Sequence, residues 1–72
     1  DNTSPSSRLK FARQQAGWRS ARSFAAEIGV DETTYRSHEM PEGAPGARAF
    51  SEESAQRYAD ALGVKWMWLM YG

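Results

Sequence analysis

The sequence predicts an all-α domain of five helices, and three observations predict it. Apolar residues recur at helical spacing, most clearly Ala55, Tyr58, Ala59 and Leu62 at i, i+3, i+4 and i+7. Short polar residues suited to capping precede these runs, and glycines follow them. No segment alternates polar and apolar residues with a period of two, and no two-residue hairpin signal joins β-branched runs. With 72 residues there is room for one core, and with no cysteine that core must hold by packing alone.

Helix one opens with Ser4 as N-cap and Pro5 as first helical residue, because proline presets φ and lacks an N–H that would have no helical partner. It runs to Gly17, with Leu9, Ala12 and Ala16 as its buried stripe and Phe11 off that stripe as a surface aromatic or partner contact. Ser20 caps helix two, whose Phe24, Ala25 and Ile28 share a face and which Gly29 ends. Asp31 caps helix three, its carboxylate suited to the free N–H groups and positive dipole of the first turn. Only Gly29 to Asp31 separate the two helices, with Val30 pointing inward.

The segment "MPEGAPGARAF" is the one long loop, interrupted by two prolines and two glycines. Ser51 then caps helix four, Glu52 and Glu53 occupy its first turn, and Gly63 closes it. Helix five, "KWMWLMYG", is apolar nearly all round and is expected to be buried on more than one side. Trp66 and Leu69 are its core candidates. Met67, Met70 and Tyr71 exceed what one inward face holds and are candidates for a dimer or interdomain surface. Residues 1–7 read as a polar tail, disordered or tag-derived, that contains the start of helix one, and residues 8–72 read as the domain. The opening "DNTSPSS", without a start methionine, suggests a trimmed fragment.

Composition narrows the function classes. Without cysteine there is no disulfide, thiolate zinc site or cysteine nucleophile. His38 is the sole histidine, with no cluster of ligands or catalytic partners around it, so it reads as a half-buried structural residue and no metal is expected. No nucleophile elbow or phosphate-cradling glycine loop is present, so the chain reads as a non-enzyme with no cofactor and no small-molecule substrate. No apolar run approaches the roughly 20 residues of a membrane span, and a cytoplasmic location is expected. Net charge is zero, yet Arg8, Lys10, Arg13, Arg19 and Arg22 follow one another without an intervening acid. In the second half Glu42, Glu52, Glu53 and Asp60 outnumber Arg48, Arg57 and Lys65.

Helices two and three with their short turn read as a helix-turn-helix, in which the second helix lies in the DNA major groove. Glu32, Thr33, Thr34, Arg36 and Ser37 supply short polar groups suited to base edges, while Tyr35 and His38 face the core. Arg36 matches the O6 and N7 of guanine, and Glu32 either accepts from cytosine N4 or strengthens the helix N-terminus.

From Arg8 to Gly72 the chain resembles the phage lambda repressor and Cro family of helix-turn-helix domains, the XRE type. The resemblance lies in "RLKFAR", "SFAAEIGV", "DETTYRSHE", "YADALGV" and "WLMYG". Prophage repressor domains of proteobacteria are the most similar group. The resemblance implies a lambda repressor-like fold and a recognition helix that exposes residues 32–37. It also implies phosphate contacts from Arg19, Arg22 and Ser23 around the start of helix two and from Arg48 in the following loop. The implied partner is double-stranded DNA with a pseudo-palindromic operator, bound by a homodimer, and full-length relatives often append a C-terminal peptidase-like domain. Ala21 stands where family members commonly carry glutamine, so that contact is either lost or passes to Arg22 or Ser23. The neutral charge, the missing glutamine and the apolar last helix support an alternative, an antitoxin-like or adaptor module that keeps the fold and binds protein.

Overall fold

The computed structural model describes residues 4–41 and 43–72. The expected tail therefore lies outside the described residues only at positions 1–3. Ser4 already caps α1, its Oγ accepting the Ser7 N–H at 3.2 Å. Five helices follow in order: α1 (Pro5–Gln15), α2 (Ala21–Ile28), α3 (Glu32–Glu39), α4 (Glu52–Leu62) and α5 (Trp66–Tyr71). Among the described residues there is no strand.

The caps explain where each helix starts. Ser20, Asp31 and Ser51 accept the backbone N–H of Ser23, Thr34 and Ser54 at 3.1, 3.1 and 3.2 Å. Gly29 takes φ 73°, which lets the Val30 N–H turn back to the Ala25 carbonyl at 2.9 Å and satisfies the end of α2 within a three-residue turn. Val30 is half-buried against the core.

Leu9, Phe24, Tyr35, Tyr58 and Leu69 are the largest side chains sealed from solvent. Tyr35 sits between Phe24 and Tyr58, with ring centroids 5.3 and 5.2 Å apart and edge-to-face geometry in both pairs, the arrangement the ring quadrupoles favour. Phe50 joins them at 5.8 Å from Tyr58. It lies just before the Ser51 cap and Ala55 lies four residues after it. That N′ and N4 pairing of two buried apolar residues fixes the angle at which the chain enters α4.

The first helix departs from its expected stripe. It ends at Gln15, and Ala16 is an exposed cap residue. Leu9 and Ala12 are buried as expected, and Arg8 and Arg13 join them inside, only 5% and 4% exposed. Arg13 lies one helical turn after Leu9 and so shares its face. Its guanidinium grips Glu39 on α3 with both ends, Nε to Oε2 at 2.6 Å and Nη2 to Oε1 at 3.2 Å, and donates to the Trp18 carbonyl at 2.7 Å. The Tyr35 hydroxyl donates to the same carboxylate. Arg8 donates through Nε to the Leu69 carbonyl at 3.1 Å, tying α1 to the last turn of α5.

The last helix is buried on one side, not several. Six residues packed against α4 and α1 expose one flank whatever their polarity. Leu69 is fully buried, Trp66, Trp68 and Met70 are half-buried against the core, and Met67 and Tyr71 remain 59% and 64% exposed. Met70 therefore leaves the expected interface set. Tyr71 is tethered back to α4, its hydroxyl donating to Glu52 at 3.1 Å.

Removing one partner of a buried ion pair leaves the other charge without compensation. Arg13→Ala is therefore expected to lower stability by about 3–5 kcal/mol, measured by urea unfolding. Replacing the triad together, as Arg13→Met, Tyr35→Phe and Glu39→Leu, is expected to cost less than half as much, because no charge or hydroxyl is left unpaired.

Candidate nucleic-acid interface

Helix α3 divides by its own period. Tyr35 and His38 point into the core, and Glu39 is drawn to Arg13. Thr33, Thr34 and Arg36 lie on the outward arc and are exposed. Of the five residues expected to read bases, these three are exposed. Ser37 is not. It is 8% exposed, its Oγ donates to the Thr34 carbonyl at 2.6 Å, and its own carbonyl accepts the Arg48 N–H at 3.0 Å. The connection after α3 folds over that part of the helix, and the hydroxyl is spent on the backbone.

Glu32 is half-exposed and engaged with cations. Its carboxylate forms an ion pair with Arg36 one turn along the helix, Nε to Oε2 at 2.8 Å, and Arg22 Nε on α2 lies 3.9 Å away. Arg36 therefore presents its guanidinium to solvent from an acidic tether. Exposed pairs of this kind contribute only about 0.3–0.5 kcal/mol, so the tether is easily exchanged for a better acceptor.

Arg19, Arg22 and Ser23 are exposed around the start of α2, whose first turn carries no acid. Helix N-termini attract anions through their free N–H groups and dipole. Arg48 is exposed next to α3. The run of five cations does not form one face. Arg8 and Arg13 are inside the fold, and Lys10, Arg19 and Arg22 remain on the surface.

His38 is buried at the inner edge of α3 with Nδ1 2.7 Å from the Tyr58 hydroxyl and its ring 5.7 Å from Phe50. Burial depresses its pKa, and the charge of Arg48 adds to the depression. Burial likewise pushes the Tyr58 phenol up to about 12. Burial works against the charge of Arg13, and the hydrogen bond and charge of Glu39 more than offset it, so the Arg13 pKa is raised. Glu39 is the counter-ion of this core, a role that sequence reasoning missed. Among the described residues no group of three or more His, Asp or Glu side chains could hold a metal ion, and no helix is long and apolar enough to cross a membrane. Compared with protein-family models, curated proteins and solved structures, the chain finds no match.

The folded state binds the His38 proton more weakly than the unfolded chain, whose histidine titrates near 6.5. Its contribution to stability is whole above that value and is lost as pH falls below it towards the lower folded-state value. The urea midpoint is expected to be lower at about pH 5.5 than at about pH 7.5, and His38→Gln is expected to shrink that difference.

Proposed function

We propose that this chain is a sequence-specific DNA-binding domain of the lambda repressor and Cro type, a prophage-style transcriptional repressor that uses α2 and α3 as a helix-turn-helix. One observation carries the reading. An eight-residue helix after a three-residue turn is fastened to the core by Tyr35, His38 and Glu39 while Thr33, Thr34 and Arg36 stand outward, which is the geometry a groove-reading helix requires. On this reading Arg36 leaves Glu32 for the guanine O6 and N7 edge, and the threonines offer hydroxyl and methyl groups to neighbouring bases. Arg19, Arg22, Ser23, the α2 N-terminus and Arg48 position the duplex through phosphates. A homodimer on a pseudo-palindromic operator places two such helices about 34–36 Å apart and doubles the modest number of available cations. The setting is the bacterial cytoplasm.

The competing reading, a protein-binding module on the same helices, is favoured by the ion pairing of Arg22 and Arg36 with Glu32 and by the exposure of Met67 and Tyr71. Selection of bound sequences from random duplexes separates the two. DNA reading is expected to enrich a pseudo-palindrome, with affinity falling as salt rises by about 0.9 log unit per log unit for each phosphate neutralised. Arg36→Ala is expected to cost about 1–3 kcal/mol and relax one base position per half-site, and Thr33→Ala to alter a neighbouring one. No enrichment, together with binding that ignores salt, would reject the DNA reading.

Glu32→Gln gives a second check. It removes a negative charge beside Arg22 and Arg36 without changing the shape of the helix start. Affinity for non-specific duplex is expected to rise several-fold, measured by fluorescence anisotropy at low salt, and to converge with that of the parent chain as salt screens the difference.

A further inference from the structure

A cavity of about 160 Å³ lies between the N-terminus of α1 and the connection from α3 to α4. Pro5, Met40, Ala47 and Phe50 give it apolar walls, and His38 and Arg48 are the nitrogen-bearing side chains on its lining.

The proton on His38 can be placed by its neighbours. Tyr58 is 1% exposed and keeps its phenolic proton, and the partner of its hydroxyl among the described residues is His38 Nδ1 at 2.7 Å. A buried hydroxyl proton needs an acceptor, so the phenol donates, Nδ1 accepts, and the ring carries its own proton on Nε2. Among the described residues no sealed side-chain nitrogen or oxygen lacks a hydrogen-bond partner. Nε2 makes none of the bonds seen, so it is open, on a ring that lines the cavity. Arg48 brings a permanent positive charge close enough to act on that ring.

The cavity thus offers a neutral N–H donor and a cation. The rest of its lining among the described residues is mostly apolar, with the Ser4 and Ser6 hydroxyls at the α1 edge engaged with each other and with Ser7. The complement of the donor and the cation is an anion that is small at its charged end and apolar elsewhere. Phosphate would set charged oxygens against the apolar walls, and a hydrocarbon would leave the donor and the guanidinium unmet. A volume of this order suits a benzene-sized body, since apolar cavities of about 150 Å³ hold such guests. We propose that this cavity is a binding site for a small aromatic or short-chain monocarboxylic acid, with the carboxylate between His38 Nε2–H and the Arg48 guanidinium and the apolar part against Pro5, Met40, Ala47 and Phe50. The Arg48 N–H also holds the Ser37 carbonyl of α3 at 3.0 Å, so the site adjoins the candidate reading helix. A bound carboxylate competes with phosphate for Arg48, and that coupling alone rests on the DNA reading.

Benzoate is the probe. Titrated into the 72-residue chain and followed by proton–nitrogen NMR of the imidazole, it is expected to shift the His38 signals saturably, with a Kd in about the millimolar range. Benzyl alcohol and inorganic phosphate are each expected to bind at least about tenfold more weakly. Arg48→Gln, at an exposed side chain, is expected to weaken benzoate about tenfold. Ala47→Leu fills the cavity and is expected to abolish the saturable shift while circular dichroism shows the helices retained. A non-saturating shift in the parent chain, or a Kd unchanged by Arg48→Gln, overturns the site. Duplex affinity with and without saturating benzoate reads the coupling separately. A several-fold loss supports it, and no change removes the coupling while the cavity assignment stands on the protein-only titration.

Discussion

The fold depends on one buried contact between its first and third helices, the Arg13 guanidinium against the Glu39 carboxylate with the Tyr35 hydroxyl on the same oxygen. Both charged side chains are more than nine-tenths buried, and taking them from water is costly unless every polar group finds a partner. Here the partners are present. Arg13 meets both carboxylate oxygens and the Trp18 carbonyl, so the ion pair is bidentate and the guanidinium's third side is occupied. A contact of this kind adds little net stability compared with an apolar substitute. Its value is orientation, because it is satisfied at one rotation of α3 about its axis and one offset along α1.

That rotation decides what α3 presents to solvent. Two turns of helix leave few positions, and Tyr35, His38 and Glu39 fill the inward ones. The edge-to-face stack from Phe24 through Tyr35 to Tyr58 then fixes the depth at which the helix sits, since each ring closes the space beside the next. Thr33, Thr34 and Arg36 follow as the outward set, with only the exposed Arg36–Glu32 ion pair among their side-chain contacts. The exposed face is rigid because the hidden face is overdetermined.

Much of this was legible in the sequence, and the part that was not shares a physical cause. Caps and stops are local: Ser4, Ser20, Asp31 and Ser51 bond N–H groups three residues away, and Gly29 turns within its own loop. Apolar periodicity likewise placed Phe24, Ala25, Ala55, Tyr58, Ala59 and Leu62 on buried faces. The misjudged residues depend on partners distant in the chain or on a loop's path. The burial of Arg8 and Arg13 was not legible because their acceptors, Leu69 and Glu39, are 61 and 26 residues away. Ser37 read as outward by period, and the fold of the loop over it could not be inferred from helical spacing. Two signals were available: Arg13 one turn after Leu9 on an inward stripe demands an acid somewhere, and Phe50 immediately before a capping serine is placed to staple a helix start.

The same long-range pairings recast the charge argument. Five cations follow one another in the sequence without an intervening acid, and the fold withdraws two of them to build the core. A third, Arg22, sits with Arg36 beside Glu32. The surface around α2 and α3 therefore sets its cations beside an acid, so on the proposed DNA reading its attraction for a polyanion is weak at long range and grows only where phosphates or base edges displace Glu32. A surface so balanced favours discrimination over non-specific affinity, because the acid penalises every encounter equally and only a well-formed set of contacts offsets it. Arg48 stands apart from this network, on the connection that covers Ser37 and beside the His38 ring, so the loop that closes the back of α3 also sets an exposed positive charge near that helix.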